Sequence, residues 1–210
     1  MTRIKICGIT NMDDAQAAVA FGADALGFVF AASPRRIEPS AAGAIIRTLP
    51  PFVTATAVVV NEPLAALRAM LEIAGCHAVQ LHGEEPPEYL ETLGRWRVIK
   101  AFRVREPADL ETMRGYERAD AFLLDSRVPG RAGGTGVAFD WRLARAAAEM
   151  GKPIILAGGL NRGNVYAALE VARPYAVDVS SGVEAEPGEK DHELMREFIR
   201  AVREFDASKG

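Results

Sequence analysis

The feature that most constrains this chain is an alternation that runs its whole length. Short, almost wholly apolar runs rich in β-formers are each followed by an alanine-rich segment with helical periodicity, and the pair recurs about every 25 residues. The strand-like runs fall at 3–7, 25–30, 54–60, 78–81, 98–102, 121–124, 153–156 and 176–179. The helical segments fall at 13–21, 41–49, 64–74, 87–93, 107–116, 141–150, 164–171 and 192–205. Runs with no polar alternation suit strands buried on both faces of a parallel sheet. Asn11 and Asp13, Ser40, and Asp140 are read as start signals for the first, second and sixth helices. Gly22, Gly75 and Gly151 follow helical runs and are read as left-handed caps.

Eight β-then-α units fit either an open doubly wound sheet or a closed barrel. No G-x-G-x-x-G follows the first strand, so the dinucleotide-binding form of the open sheet loses support. Eight near-equal units also leave no obvious edge strand. The expected fold is therefore α/β, a single (β/α)₈ TIM barrel over 1–205, with 206–210 as a frayed tail. A length of 210 residues suits one such core with short loops.

Composition narrows the partners. A net charge of −3 with no basic run gives no attraction to nucleic acid or to an anionic membrane. No apolar run approaches the ~20 residues of a membrane span, and the N-terminus does not read as a signal peptide, so a cytoplasmic location is expected. Cys7 and Cys76 should then stay reduced, and no Cys/His cluster has the spacing of a metal site.

In a barrel of this kind chemistry sits where strands end. The first strand ends in Cys7 and Gly8; the thiol is either a small buried apolar group or part of a site. The second is followed by SPRR, whose Arg35 and Arg36 are candidate forks for a carboxylate or phosphate, or solvated loop residues. In the fourth, AVQLHG, alternation puts Gln80 and His82 on one side, with His82 at the rim as a site residue or a hydrogen-bonded structural histidine. The sixth closes on Asp125, which must be solvated, paired, capping or catalytic. Gly133, Gly134 and Gly136 follow in a long loop and read as a lid, an anion contact or plain flexibility. The strongest signal is the last pair of loops. AGGL after the seventh strand supplies Gly158 and Gly159; VDVSSGVE around the end of the eighth supplies Asp178, Ser180, Ser181 and Gly182. Barrel phosphate sites commonly use those two loops, with backbone N–H groups as donors. The alternative is two tight turns. His77 and Cys76 are read as structural, His192 as solvated, and Trp96 and Trp141 as packing helices on the wall.

Taken in order, KICGIT, GADALGFVF, S-x-R-x-I (Ser33, Arg35, Ile37), VVVNE, AVQLHGEE, LLD, GGTG-x-x-FDW, AGGLN and AVDVSSGVE resemble the phosphoribosylanthranilate isomerase family from Met1 to about Phe198. The resemblance implies an Amadori rearrangement of N-(5′-phosphoribosyl)anthranilate to the 1-deoxyribulose 5-phosphate in tryptophan biosynthesis, with no metal or organic cofactor. It implies Cys7 as general base, Asp125 as general acid, Arg35 on the anthranilate carboxylate, and His82 and Gln80 lining the site. Asp178 would lie near the ribosyl hydroxyls, and Gly158, Gly159, Ser180, Ser181 and Gly182 would hold the phosphate. An aspartic acid with an ordinary pKa near 3.9 must be kept protonated to act as an acid, and a thiol near 8.5 needs a nearby positive charge or N–H donors to act as a base. Family members occur alone, as dimers or fused to a synthase, so a monomer or homodimer is expected. Related phosphosugar barrels are the nearest rivals. The indole-glycerol-phosphate synthase places a lysine where this chain has Cys7, with Lys5 on the same alternating side, and the histidine-pathway isomerase places an aspartate there. A non-catalytic phosphosugar-binding module would need neither Cys7 nor Asp125.

Overall fold

The computed structural model describes residues 1–125 and 140–210. Eight parallel strands pair in sequence order and the last closes on the first: β1 (Arg3–Cys7), β2 (Ala25–Val29), β3 (Thr54–Val59), β4 (Ala78–Leu81), β5 (Arg97–Arg103), β6 (Ala121–Asp125), β7 (Ile154–Ala157) and β8 (Ala176–Val179). Closure leaves no edge strand in this sheet. Helices α1 (Met12–Phe21), α2 (Pro39–Ile46), α3 (Leu64–Ala74), α4 (Pro87–Glu91), α5 (Trp141–Ala148), α6 (Val165–Ala172) and α7 (His192–Lys209) form the outer layer.

Local chemistry explains most element ends. Asn11 caps α1 by accepting the N–H of Asp14, and Asp140 caps α5 by accepting that of Arg142. Gly22 and Gly75 end α1 and α3 at φ 102° and 72°, a region that disfavours side chains. Three expectations need correcting. Ser40 is not a cap: α2 begins at Pro39, two residues before the expected start, because Pro39 has its φ preset and lacks the N–H that a first helical residue leaves unpaired. The segment after β5 is a 3₁₀ helix, Pro107–Gly115, entered where Asp109 accepts the N–H of Glu106. The chain does not fray at 206: α7 runs to Lys209, and the Asp206 carboxylate takes both the N–H and the hydroxyl of Thr2, tying the last helix to the first strand.

Alternation along each strand separates two apolar layers. Ile4, Ile6, Leu26, Phe28, Val59, Val79, Leu81, Leu124, Leu156 and Val177 are buried in the large cluster that joins strands to helices. Ala101, Ala121, Leu123, Ile155, Ala157 and Ala176 form a separate small cluster from β5 to β8. The alternate positions of β1, β3 and β4 carry Lys5, Thr56 and Gln80, all buried. The barrel interior is thus apolar on one half and polar on the other. Lys5 bridges the polar half, its amine 2.9 Å from Asp178 Oδ1 on β8 and 3.0 Å from Gln80 Oε1 on β4.

His77 accepts the N–H of Ala55 at 3.0 Å and is structural as expected, while Trp96 and Trp141 are partly buried against the core. His192 is exposed, as expected, and its Nε2 also lies 2.9 Å from the buried carboxylate of Asp14, which takes the N–H of Lys190. Among the described residues no helix is long and apolar enough to cross a membrane.

Candidate active site

One cavity opens at the C-terminal ends of the strands. Cys7 and Asp125 both line it, β1 contributing the thiol and β6 the carboxylate from non-adjacent strands. Arg35, Gln80, His82, Asp178, Gly158, Gly159, Ser180 and Ser181 line the same cavity. Gly182 does not; it lies behind the lining, where a side chain would strike the carbonyl of Leu160. That glycine lets the loops after β7 and β8 touch. Gly133, Gly134 and Gly136 lie outside the described residues.

Cys7 sits where neighbouring strands make room for it. A Cβ on Gly27, its partner in the β1–β2 ladder, would sit 2.7 Å from the Cys7 sulfur. Burial pushes the Cys7 thiol up from its ordinary value, and the amines of Lys5 and Lys190 oppose that shift. Cys76, outside the cavity, is pushed up to about 12 by burial alone.

Of the two adjacent arginines, only Arg35 lines the cavity. Its Nε and Nη2 make a fork on Glu184 at 2.7 and 2.5 Å. Arg36 turns away to the carbonyl of Phe30 and to the exposed Glu38. Gly8, at φ 78°, lies directly under Arg35: a Cβ there would sit 2.7 Å from Arg35 Cδ.

Sequence reading assigned no role to the residues that hold this arrangement. A short hairpin, β9 (Glu184–Glu186) and β10 (Glu189–Lys190), follows a 3₁₀ turn (Ser181–Val183). Lys190 on this hairpin is fully buried at its side chain. Its amine donates to Glu184 at 2.8 Å and to the Cys7 carbonyl at 2.6 Å. Burial alone would raise the Glu184 carboxyl, but hydrogen bonds from Arg35 and Lys190 outweigh it and hold it below its ordinary value. Lys100 on β5 donates to the Gly83 carbonyl in the loop after β4 and to Glu85, whose carboxylate also takes the N–H groups of Asn61 and Gly83. These contacts fix the backbone next to His82. The only trace of them in the sequence is a charge inside an apolar run (Lys5, Lys100), since a buried lysine needs a partner.

A second chain of contacts crosses the cavity floor. Gln80 Nε2 is 2.8 Å from His82 Nδ1, and His82 Nε2 is 3.3 Å from Asp125 Oδ2. Lys5, the residue that left room for a catalytic lysine, is buried with its amine engaged by Asp178 and Gln80.

The family model for N-(5′-phosphoribosyl)anthranilate isomerase matches residues 4–201. The N-(5′-phosphoribosyl)anthranilate isomerase of Moorella thermoacetica is 51% identical over 206 residues, covering 98% of this chain and 92% of that protein. The crystal structure of phosphoribosyl anthranilate isomerase from Thermotoga maritima superposes with a TM-score of 0.91 at 45% identity, covering 97% of this chain and 100% of its own. A phosphoribosyl anthranilate isomerase solved in complex with reduced 1-(o-carboxyphenylamino)-1-deoxyribulose 5-phosphate superposes at 0.88 with 43% identity, covering 97% of this chain and 100% of its own. With the barrel, the cavity and these likenesses in agreement, this chain belongs to the N-(5′-phosphoribosyl)anthranilate isomerase family, whose enzymes carry out an aldose–ketose isomerisation in tryptophan biosynthesis.

Proposed function

We propose that Cys7 and Asp125 are the base and acid of this isomerisation, acting from opposite walls of the cavity on a phosphoribosyl-anthranilate held between them. The observation that carries this reading is that both line one cavity together with Arg35 and the loops after β7 and β8. Asp125 gives a proton to the furanose ring oxygen, the C1′–O bond breaks, and a Schiff base forms between C1′ and the anthranilate nitrogen. Cys7 then takes the proton from C2′. The resulting enolamine loses its hydroxyl proton and gains one at C1′, which leaves the ketone and no net change in protons. Each group is worth about 10²–10⁴-fold.

Arg35 takes the anthranilate carboxylate. Two of its N–H directions are held by Glu184, which keeps the guanidinium in the cavity, and a guanidinium has further N–H donors to offer a ligand. The loops with Gly158, Gly159, Ser180 and Ser181 hold the phosphate, and Gly182 lets the two loops approach each other. In support, Gly158 and Gly159 have φ of 82° and 66°, and the first turn of a helix carries N–H groups without helical partners. Asp178 lies at the cavity floor on Lys5 and faces the ribosyl hydroxyls. No cofactor is required. The enzyme acts in the cytoplasm as a monomer or homodimer, without nucleic-acid or membrane partners.

The test is steady-state turnover of phosphoribosylanthranilate by Cys7→Ser and Asp125→Asn, with circular dichroism to check folding. Both variants lose most of kcat and fold normally. Near wild-type turnover in either removes that residue from its role.

A further inference from the structure

Gln80 lines the cavity, and both ends of its amide are engaged: the side chain is buried, with Lys5 on one end and His82 on the other. An ammonium group has donors only, so the amide atom facing Lys5 at 3.0 Å is the oxygen Oε1. The NH₂ end therefore faces His82 Nδ1 at 2.8 Å. An NH₂ group also has donors only, so Nδ1 must be the acceptor and carry no proton. The ring proton of neutral His82 then sits on Nε2, 3.3 Å from Asp125 Oδ2.

We propose that Gln80 is a positioning residue: anchored by Lys5, it holds His82 in the Nε2–H tautomer, and His82 in turn presents a fixed donor to one oxygen of Asp125. Two consequences follow for the proposed acid, on whose assignment this inference rests. When Asp125 is protonated, the His82 N–H donates to Oδ2 and fixes the orientation of the carboxyl group. When it has given the proton away, the same N–H stabilises the carboxylate. His82 does not itself serve as an imidazolium acid, because a second ring proton would set two donors against each other at Nδ1. Lys5 is suited to anchor this chain. Burial would depress it, but the Asp178 carboxylate 2.9 Å from its amine opposes burial and the balance is upward.

The test uses ¹⁵N-histidine-labelled protein and long-range ¹H–¹⁵N correlation, which reports the protonated nitrogen of each of the three rings. The His82 signal is assigned by its loss in His82→Asn. The expected result is a proton on Nε2 of His82 in the wild type. In Gln80→Glu the new carboxylate still accepts from Lys5 but now also accepts from the ring, so the proton appears on Nδ1. In that variant kcat falls at least about tenfold with KM nearly unchanged, as expected when a wrong tautomer disorients a catalytic pair. A wild-type ring protonated on Nδ1 overturns the proposal, and so does a Gln80→Glu ring that stays protonated on Nε2. A variant that raises KM at constant kcat makes Gln80 a binding residue instead. If Gln80→Glu does not fold, the wild-type ring decides alone. The acid assignment fails separately, through an active Asp125→Asn, and leaves the ring readout untouched.

Discussion

Replacing Gly27 with alanine tests whether the position of one sulfur atom controls the reaction. The new methyl would sit 2.7 Å from Cys7 Sγ and 3.1 Å from both Cε and Nζ of Lys5. Ordinary non-bonded contacts between heavy atoms lie at about 3.5–4.0 Å, so the sulfur must retreat by about 1 Å. Lys5 has little room to yield, because its amine is tied to Asp178 and Gln80. Misplacing a reacting group by about 1 Å costs on the order of 10²-fold, equivalent to about 2.7 kcal/mol of transition-state stabilisation. Stability suffers less: overpacking costs about 1–3 kcal/mol, and the smaller backbone entropy of alanine returns up to about 1 kcal/mol. In a chain of this size that lowers Tm by only a few degrees. The expected result is a kcat down about 100-fold in protein that melts within a few degrees of wild type, measured by steady-state kinetics beside thermal unfolding. A kcat within about threefold of wild type would refute the reasoning: either the sulfur position does not matter, or Cys7 is not the base.

Arg35→Ala is expected to raise KM by about 10-fold or more with a smaller change in kcat, since its proposed partner on the substrate does not react; Arg36→Ala should leave both constants alone, and the reverse pattern would exchange the two assignments. Glu184→Gln is expected to destabilise the fold by about 1.5–3 kcal/mol near pH 7, through lost charge-assisted hydrogen bonds to Arg35 and Lys190. The same variant has a signature in acid. The folded Glu184 carboxyl is held below its ordinary value, so its contribution is fully present above the unfolded value of about 4.3 and is lost as pH falls through the folded one. Urea unfolding between neutral pH and pH 3 should therefore show the wild type converging on the variant, and parallel curves would remove Glu184 from acid stability.

Some of this architecture is local and legible in the sequence alone. Each strand is a short apolar run that can only be buried on both faces, and eight of them in near-equal units imply a ring of strands. A residue that ends such a run lies at the mouth by position alone, and so Cys7, His82, Asp125, Gly158 and Ser180 all line the cavity. Helix ends were less legible where a proline competes with a conventional cap, as at Pro39 beside Ser40.

The barrel, the face that carries chemistry and the side chains that reach it are thus encoded locally. These follow from periodicity and chain order, which act over a few residues. The way those side chains are held is not local. Closing the ring brings Lys5 to Asp178 across 173 residues, Arg35 to Glu184 across 149 and Lys190 to the Cys7 carbonyl across 183. No local pattern encodes such pairs, because a buried charge is satisfied by whichever partner the fold delivers. The choice between Arg35 and Arg36, the engagement of Gln80 at both ends and the protonated nitrogen of His82 all depend on those long-range contacts.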